Sequence, residues 1–286
     1  MDSRTEVIRC GACSAMPPKN AAEGDCMSAH RRSRLIVLTF GLMSSSWTLA
    51  AADKPLPKGE EIMDKFVEAT GGKAAYQKVH TEIWKGTFEL VGKGVKGAAT
   101  SYRAEPNKTY TIIELEGIGT IEDGTDGQTA WTRSAMQGPR IKQGDERAAA
   151  LREAAFNAPV NWRKLFKQAE STGIENVGDQ ACYKVVATPN DGKPETRYFD
   201  KKTNLLLKMT TLLPSPMGEV PVEIAISDYK PQNGLLSPHK IDQKTLGQEF
   251  LITIDSIEYN ADIPKDRFDV PADVKELAEK PAPAAK

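Results

Sequence analysis

The chain has 286 residues and a formal net charge of -1, from 38 basic and 39 acidic side chains. Hydrophobic residues make up 40% of it and charged residues 27%, with 22 glycines and 4 cysteines. This composition is typical of a globular protein and excludes a collagen-like, a disulfide-dense or a fully disordered chain. The balanced charge and an aromatic content of 7% also argue against nucleic acid as a partner, because neither a basic field nor a stacking platform is available.

Residues 1–52 have the features of a leader, with a signal peptide over about 27–52. Three arginines at positions 31, 32 and 34 precede a short apolar run over 35–43, and a stretch of small residues then offers a cleavage site before Asp53. The apolar run is about half the ~20 residues that a membrane-spanning helix requires. The sequence therefore predicts export to the periplasm through a cleaved signal peptide.

The residues after the leader predict one helix followed by many strands. Apolar residues recur at helical spacing from Glu60 to Thr70, and Gly71 and Gly72 end this pattern. Two-residue alternation then predicts roughly eleven strands, joined mainly by tight turns such as Asn233-Gly234, and tight turns favour antiparallel pairing. The predicted fold class is mainly β (α+β), a single curved antiparallel sheet forming a half-open β-barrel covered by short helices.

An Ala-rich segment over 145–156 interrupts the strands and predicts an inserted helix. We expect one domain over 53–271, an incomplete barrel whose open side is covered by the helix near Glu60 and the insertion near Leu151. Residues 272–286 are rich in Pro, Ala, Lys and Glu, which predicts a disordered tail. Only Cys182 follows the leader, so the exported chain is expected to fold without an internal disulfide.

Residue types that carry catalysis are sparse. His80 and His239 are the only histidines after the leader and have no ligand-type neighbours at metal-binding spacing, so we expect no metal and no cofactor. Cys182 and His239 could form a nucleophile–base pair, but the strand pattern around Cys182 favours an ordinary buried thiol. Glu114 and Glu116 share one strand face, as paired carboxylates do, and as exposed sheet residues also do. We therefore expect that the protein is not an enzyme.

Apolar side chains recur at alternate positions along the predicted strands. Most are expected to form the core, but a wide curled sheet encloses more interior than two short helices fill, so some are expected to line a cavity. The candidates for this lining are Trp84, Phe88, Leu90, Tyr110, Ile112, Met209, Ile224, Phe250 and Ile252. The candidates for a helical lid over the cavity are Ile62, Phe66 and Leu151.

Five stretches form an extended pattern within residues 60–271. They are 61–72, 104–108, 117–131, 191–200 and 215–223. In these stretches the chain resembles the periplasmic outer-membrane lipoprotein carrier family, the LolA-like or lipoprotein-sorting proteins. The resemblance implies a half-open barrel with a helical lid and an apolar cavity, and a carrier that shields acyl chains on their way toward the outer membrane. The implied partners are acyl chains of lipoproteins or lipids, with membrane-bound donor and acceptor proteins, and we expect a monomer.

In the best-known carriers of this kind, an arginine near the cavity latches the lid. Arg103, Arg133 and Arg140 are of the right type, but none lies in a matching motif, so the resemblance assigns the latch to none of them.

Two other functions remain open. A sensing or scaffolding module of the same fold would bind a protein partner through a sheet edge or face, and its interior would be filled. An envelope hydrolase would place Cys182 or a carboxylate pair in a polar cleft.

Overall fold

One antiparallel sheet of thirteen strands dominates the structure, a computed structural model that describes residues 55–279. The strands are β1 (Thr81–Leu90), β2 (Val95–Ala104), β3 (Lys108–Leu115), β4 (Gly119–Thr125), β5 (Ala130–Ser134), β6 (Gly138–Ile141), β7 (Phe166–Val177), β8 (Gln180–Pro189), β9 (Glu195–Asp200), β10 (Leu206–Ser215), β11 (Gly218–Gln232), β12 (Leu235–Thr245) and β13 (Gln248–Tyr259). The predicted leader and signal peptide lie outside the described residues.

The strand order is β6-β5-β4-β3-β2-β1-β13-β12-β11-β10-β9-β8-β7. Hairpins join sequence neighbours within each half, β1 pairs with β13 at the centre, and β6 and β7 are the two edges, so the sheet stays open. This confirms the predicted class of a curved, open antiparallel sheet with short helices. The strand count exceeds the prediction because strands such as β6, with four residues, are too short to show an alternation.

The predicted turn at Asn233-Gly234 joins β11 to β12. Both residues have positive φ, 50° and 82°, the conformation that a two-residue hairpin turn requires. Gly86 marks a change of register between β1 and β13, and any side chain there would collide with the carbonyl oxygen of Thr253. A bend in β1 therefore depends on glycine at this position.

The described part of the chain has five helices, which flank the sheet. They are α1 (Gly59–Ala69), α2 (Gly72–Tyr76), α3 (Gly144–Glu153), α4 (Trp162–Leu165) and α5 (Ala272–Glu279), and a 3-10 turn over Lys265–Phe268 precedes the last of them. Glu60 and Glu61 in the first turn of α1 stabilise the helix, because their negative charges lie at the positive end of its dipole. Gly71, with a φ of 129°, follows the end of this helix. Among residues 55–279, no helix is long and apolar enough to cross a membrane.

The largest core lies between α1 and one face of the sheet, which we call the inner face. The apolar side of α1 contributes Ile62, Met63 and Val67, which are 1–7% exposed. The sheet side of this core comprises Val185, Ala187, Phe199, Leu206, Ile254, Ile257 and Tyr259. The amphipathic helix predicted from the spacing of its apolar residues thus covers the inner face.

The opposite, outer face carries a smaller cluster beneath α5. Val270 and Val274 pack there against Trp131, and Val274 is fully buried. The prediction of a disordered tail over 272–286 was therefore wrong for 272–279, which form α5 because Val274 and its neighbours bury apolar surface on the sheet. Residues 53–286, which hold all thirteen strands, form a compact unit by themselves.

Candidate functional site

A cavity of about 480 Å³ lies between the inner face and the helices. Met63 and Phe66 line it from α1, and Met209 and Ile224 line it from the sheet. Further apolar lining comes from Leu165, Leu206, Leu213, Ile226 and Leu236. The volume falls within the range of about 300–1,000 Å³ that is usual for sites of small ligands.

Charged side chains form a second part of the cavity wall. They are Arg103, Arg152, Glu153, Glu195 and Arg197. Arg197 Nε donates to Glu195 Oε1 at 2.6 Å, and its guanidinium lies 4.7 Å from the ring centroid of Phe166. The cavity therefore combines an apolar wall with fixed charges, an arrangement that suits a ligand with a long apolar part and a polar head.

Arg103 connects the sheet to the end of α3. Its Nη2 donates to the main-chain oxygens of Glu153 and Ala155, at 3.3 Å each. Glu153 is the last residue of α3, and its oxygen is an orphan carbonyl at the negative end of the helix, where a cation is favourable; Ala155 lies two residues further along the chain. Of the three arginines considered as a latch, Arg103 contacts this helix end, whereas Arg140 pairs with Glu146 and Arg133 pairs with Glu122 and Asp273.

Two carboxyls near the cavity hold protons more readily than usual. Desolvation raises the pKa of Glu82, and the charge of Arg103, its partner across β1 and β2, opposes this rise. Solvent reaches Glu153, yet the protein that surrounds it raises the pKa of this side chain by desolvation, while Lys142 and Arg152 oppose the rise. Both shifts arise because the carboxyl groups are desolvated beside the arginines of the cavity.

The predicted lining and lid residues fall into three groups. Phe66, Met209 and Ile224 line the cavity. Ile62 is part of the core below α1, and Leu151 is half-buried on α3 but does not line this cavity. The inner-face residues Phe88, Leu90 and Phe250 pack in a separate cluster with Ala99 and Leu115. Trp84 and Ile252 pack against both that cluster and the core.

Tyr110 and Ile112 do not line the cavity, which corrects their prediction. Tyr110 pairs with Tyr102, one residue from Arg103, and successive strand residues face opposite sides of a sheet. Tyr110 therefore lies on the outer face, where its hydroxyl donates to Glu122 Oε2 at 2.9 Å. Burial raises the pKa of Tyr110 to about 12. Ile112, two residues further along β3, shares this outer face.

The charged part of the cavity wall was not predicted from the sequence. A usable signal lies in β9, where Glu195, Arg197 and Phe199 alternate and therefore share one face. Phe199 is fully buried, so its strand neighbours Glu195 and Arg197 must also face the inner side. An alternation that mixes charged and large apolar residues on one strand face thus indicates a polar site in a buried surface.

Cys182 and His239 do not form a catalytic pair. They lie on β8 and β12, which three other strands separate, or about 19 Å at the usual spacing of strands. Cys182 is fully buried, and desolvation raises the pKa of its thiol. His239 Nδ1 forms a 2.7 Å hydrogen bond with the main-chain oxygen of Ile254. The thiol therefore stays protonated and inaccessible, as expected for a residue of the core.

Three solved structures of other proteins are similar to this chain at low sequence identity. A DUF1329 family protein from Desulfovibrio piger is similar at 13% identity and a TM-score of 0.52, over 75% of this chain and 98% of that one. An outer membrane lipoprotein-sorting protein domain from Vibrio parahaemolyticus has 11% identity and a TM-score of 0.48, over 78% and 98% of the two chains. A LolA superfamily protein from Nitrosomonas europaea has 11% identity and a TM-score of 0.49, over 75% and 99%.

No protein-family model matches the sequence, and no curated protein matches it significantly. At these low identities, structural likeness shows the fold alone. The chain therefore shares its fold, an open, curved antiparallel sheet, with the DUF1329 family protein.

Proposed function

We propose that this protein is a periplasmic carrier that shields acyl chains of lipids or lipoproteins in the cavity of its inner face. The observation that carries the proposal is the cavity of about 480 Å³ with Met63, Phe66, Met209 and Ile224 in its wall. Each buried methylene stabilises a bound acyl chain by about 0.8 kcal/mol, so partial enclosure is enough for capture. The two methionines suit chains of different shape, because their unbranched side chains repack easily.

The charged part of the wall gives the proposed ligand an orientation. Arg103 and Arg152 lie in the same wall as the apolar residues, and guanidinium groups bind phosphate and carboxylate oxygens well. Arg152 already donates to Asp191 at 2.7 Å, so a headgroup there would replace or share this carboxylate. A lipid headgroup is expected beside these arginines, with its acyl chain along Met209 and Ile224. The signal peptide predicted over about 27–52 supports a periplasmic location for such a carrier.

The open structure also needs a means to release its ligand. Because Arg103 holds the end of α3 by two hydrogen bonds to main-chain oxygens, loss of these bonds would loosen the C-terminal end of α3 beside the cavity, while Glu146 in its first turn stays paired with Arg140. A ligand headgroup that recruits the Arg103 guanidinium would have the same effect. Binding of the head and opening of the helix would then be coupled through one side chain.

We expect Arg103→Met to increase amide hydrogen exchange in α3 about tenfold, because hydrogen bonds to charged groups contribute about 1.5–3 kcal/mol and these two are long. The measurement is native-state hydrogen exchange resolved by peptide. Arg163→Met is the control, because Arg163 pairs with Asp64 of α1 and does not contact α3. Unchanged exchange in α3 of the Arg103 variant would show that this residue does not hold the helix.

Native mass spectrometry of residues 53–286, purified from a periplasmic extract without detergent, tests the carrier proposal. We expect an added mass that organic extraction identifies as lipid or acylated peptide. Ile224→Trp should fill the cavity and lower this load at least about tenfold, since it takes the space of the ligand. Ile174→Trp makes the same substitution at a side chain that is 46% exposed on the edge strand β7, and should leave the load unchanged.

A bare protein mass, with no uptake of added phospholipid or lipopeptide, would contradict the carrier and favour the protein-binding module. Equal loads in the Ile224→Trp variant and the wild type would place any bound lipid outside this cavity.

A further inference from the structure

Exposed large apolar side chains concentrate at one end of the sheet. Antiparallel pairing places the turns after β1, β3, β5, β8, β10 and β12 at this end. The turn after β8, over 190–194, is polar. The other five belong to consecutive hairpins, and each of them carries one exposed apolar residue, namely Val91, Ile118, Met136, Met217 and Leu246. Met136, Met217 and Leu246 are 82%, 90% and 68% exposed. We call these five residues the apolar rim.

The opposite end of the sheet has a different character. Its turns span 105–107, 126–129, 178–179, 201–205 and 233–234, and are built mainly from Asp, Asn, Gly, Lys and Thr. None of these described turns carries an exposed large apolar side chain. Exposed apolar residues are therefore not a general property of the turns in this sheet, but a property of one end.

The rim consists of separate projections rather than a flat patch. Each rim turn contains or adjoins a glycine around which the space is open. A Cβ atom would meet no other atom within 4 Å at any of these positions, which are Gly92, Gly117, Gly138, Gly218 and Gly247. Neighbouring turns touch at their bases, where Ala135 N–H donates to the main-chain oxygen of Thr120 at 3.1 Å, while the space around these five glycines is open. A protein partner would need a matching set of five pockets, whereas the hydrocarbon of a lipid layer deforms around each projection.

Leu246 shows that the rim departs from ordinary turn chemistry. Its φ is 48°, in the left-handed region that asparagine and glycine occupy most readily, and Gly247 follows at 75°. Asparagine would suit this two-residue turn better than a branched apolar side chain. The leucine therefore contributes an exposed apolar group at a position where turn stability favours a polar one.

Charges near the tips compensate one another. Lys96 pairs with Glu89 at 2.9 Å, Lys244 with Glu249 at 3.6 Å, and Lys193 with Glu219 at 2.7 Å. The tips also carry Lys93 and Glu116, one on each of two neighbouring hairpins. With little net charge at this end, the surface matches zwitterionic lipid, and its attraction does not depend on anionic headgroups.

The rim is continuous with the wall of the cavity. Leu206, Met209 and Leu213 of β10 line the cavity in order along the strand, and the same strand then leads into the turn that carries Met217. Contact between this tip and a bilayer would bring one end of the cavity wall close to the lipid surface.

We propose that the apolar rim docks the protein on a zwitterionic bilayer by inserting its five side chains at the interface of headgroups and acyl chains. Docking goes beyond the carrier function and does not depend on it, because it uses side chains outside the cavity. It gives the protein a defined end that faces a membrane.

Co-sedimentation with phosphatidylcholine vesicles tests the proposal on residues 53–286, which exclude the apolar run over 35–43. The rim variant is Met136→Ser, Met217→Ser and Leu246→Asn together. Its partition onto vesicles should fall about tenfold or more, since three apolar side chains no longer enter the lipid, and the wild-type value should be equal at low and high salt. The control variant Leu56→Ser, Ile174→Ser and Leu277→Ser removes three apolar side chains exposed elsewhere, and should bind like the wild type.

Depth-resolved fluorescence provides a second readout. Tryptophan in Met217→Trp should be quenched by phosphatidylcholine brominated on its acyl chains, and tryptophan in Ile174→Trp should not.

The proposal is overturned if the wild type does not bind vesicles, if the rim and control variants bind equally, or if binding requires anionic lipid. A wild type that self-associates, with a rim variant that is monomeric and equally able to bind vesicles, would instead identify a second copy of the chain as the occupant. Retained docking by Ile224→Trp would separate this proposal from that of the carrier.

Discussion

Phe199→Ala is expected to lower the free energy of unfolding by about 3–5 kcal/mol and the melting temperature by about 10 °C. Phe199 is fully buried on β9, and its ring centroid lies 5.5 Å from that of Phe66 on α1. The substitution leaves a hole below the helix that surrounding residues fill only in part. Because Phe66 also lines the cavity, we expect the variant to bind less lipid as well.

Chemical denaturation of residues 53–286 measures the first effect, and the native mass spectrum described above measures the second. Phe199→Leu is the matched control, since it keeps most of the apolar volume and should lose less than half as much stability. A loss below about 1 kcal/mol for Phe199→Ala would mean that α1 does not depend on this side chain for its place on the sheet.

Trp131→Ala is expected to cost a similar amount, about 3–5 kcal/mol, on the outer face. Trp131 is 1% exposed, packs against Val270 and Val274, and covers Gly124, where a Cβ atom would lie only 2.7 Å from the indole ring. Without the indole, α5 loses the surface on which it is docked. We therefore expect its amides to exchange as fast as those of an unfolded segment.

Trp131→Phe provides the comparison for this site. The indole Nε1 is buried and has no hydrogen-bond partner among residues 55–279, so phenylalanine removes a donor that these residues leave unsatisfied while it keeps an aromatic ring. We expect a loss of only about 1 kcal/mol and protected amides in α5. Full protection of α5 in Trp131→Ala would show that other contacts dock this helix.

The sheet could be predicted from the sequence because its signals are local. Alternation along a strand and a turn such as Asn233-Gly234 depend on a few consecutive residues. The docking of α5 could not, because Val274 finds its partner Trp131 more than a hundred residues earlier in the chain. A segment rich in Ala, Pro and Lys has no periodicity strong enough to indicate such a partner.

The site could be predicted only in part for the same reason, because its residues are far apart in the sequence. Tyr110 and Ile113 are both apolar but face opposite sides of β3, and only the position of α5 explains why the outer side is apolar as well. The charges of Arg103 and Glu195 come from strands in different halves of the sheet. Their meeting in one cavity depends on the curvature of thirteen strands and on the placement of α3, which no local pattern encodes.

The central pairing of β1 with β13 has a consequence for biosynthesis. The pairs Glu82–Tyr259 and Leu90–Phe250 join segments at the two ends of the sheet-forming sequence, whereas every other strand pairs with a neighbour in the chain. The two halves, β1–β6 and β7–β13, can each zip up from local turns, but they unite only at this seam. Closing such a long loop is entropically slow. A nascent chain therefore cannot complete its sheet until the last strand, β13, has been synthesised and released. Until then, the edge of each half that forms the seam remains open to other partners.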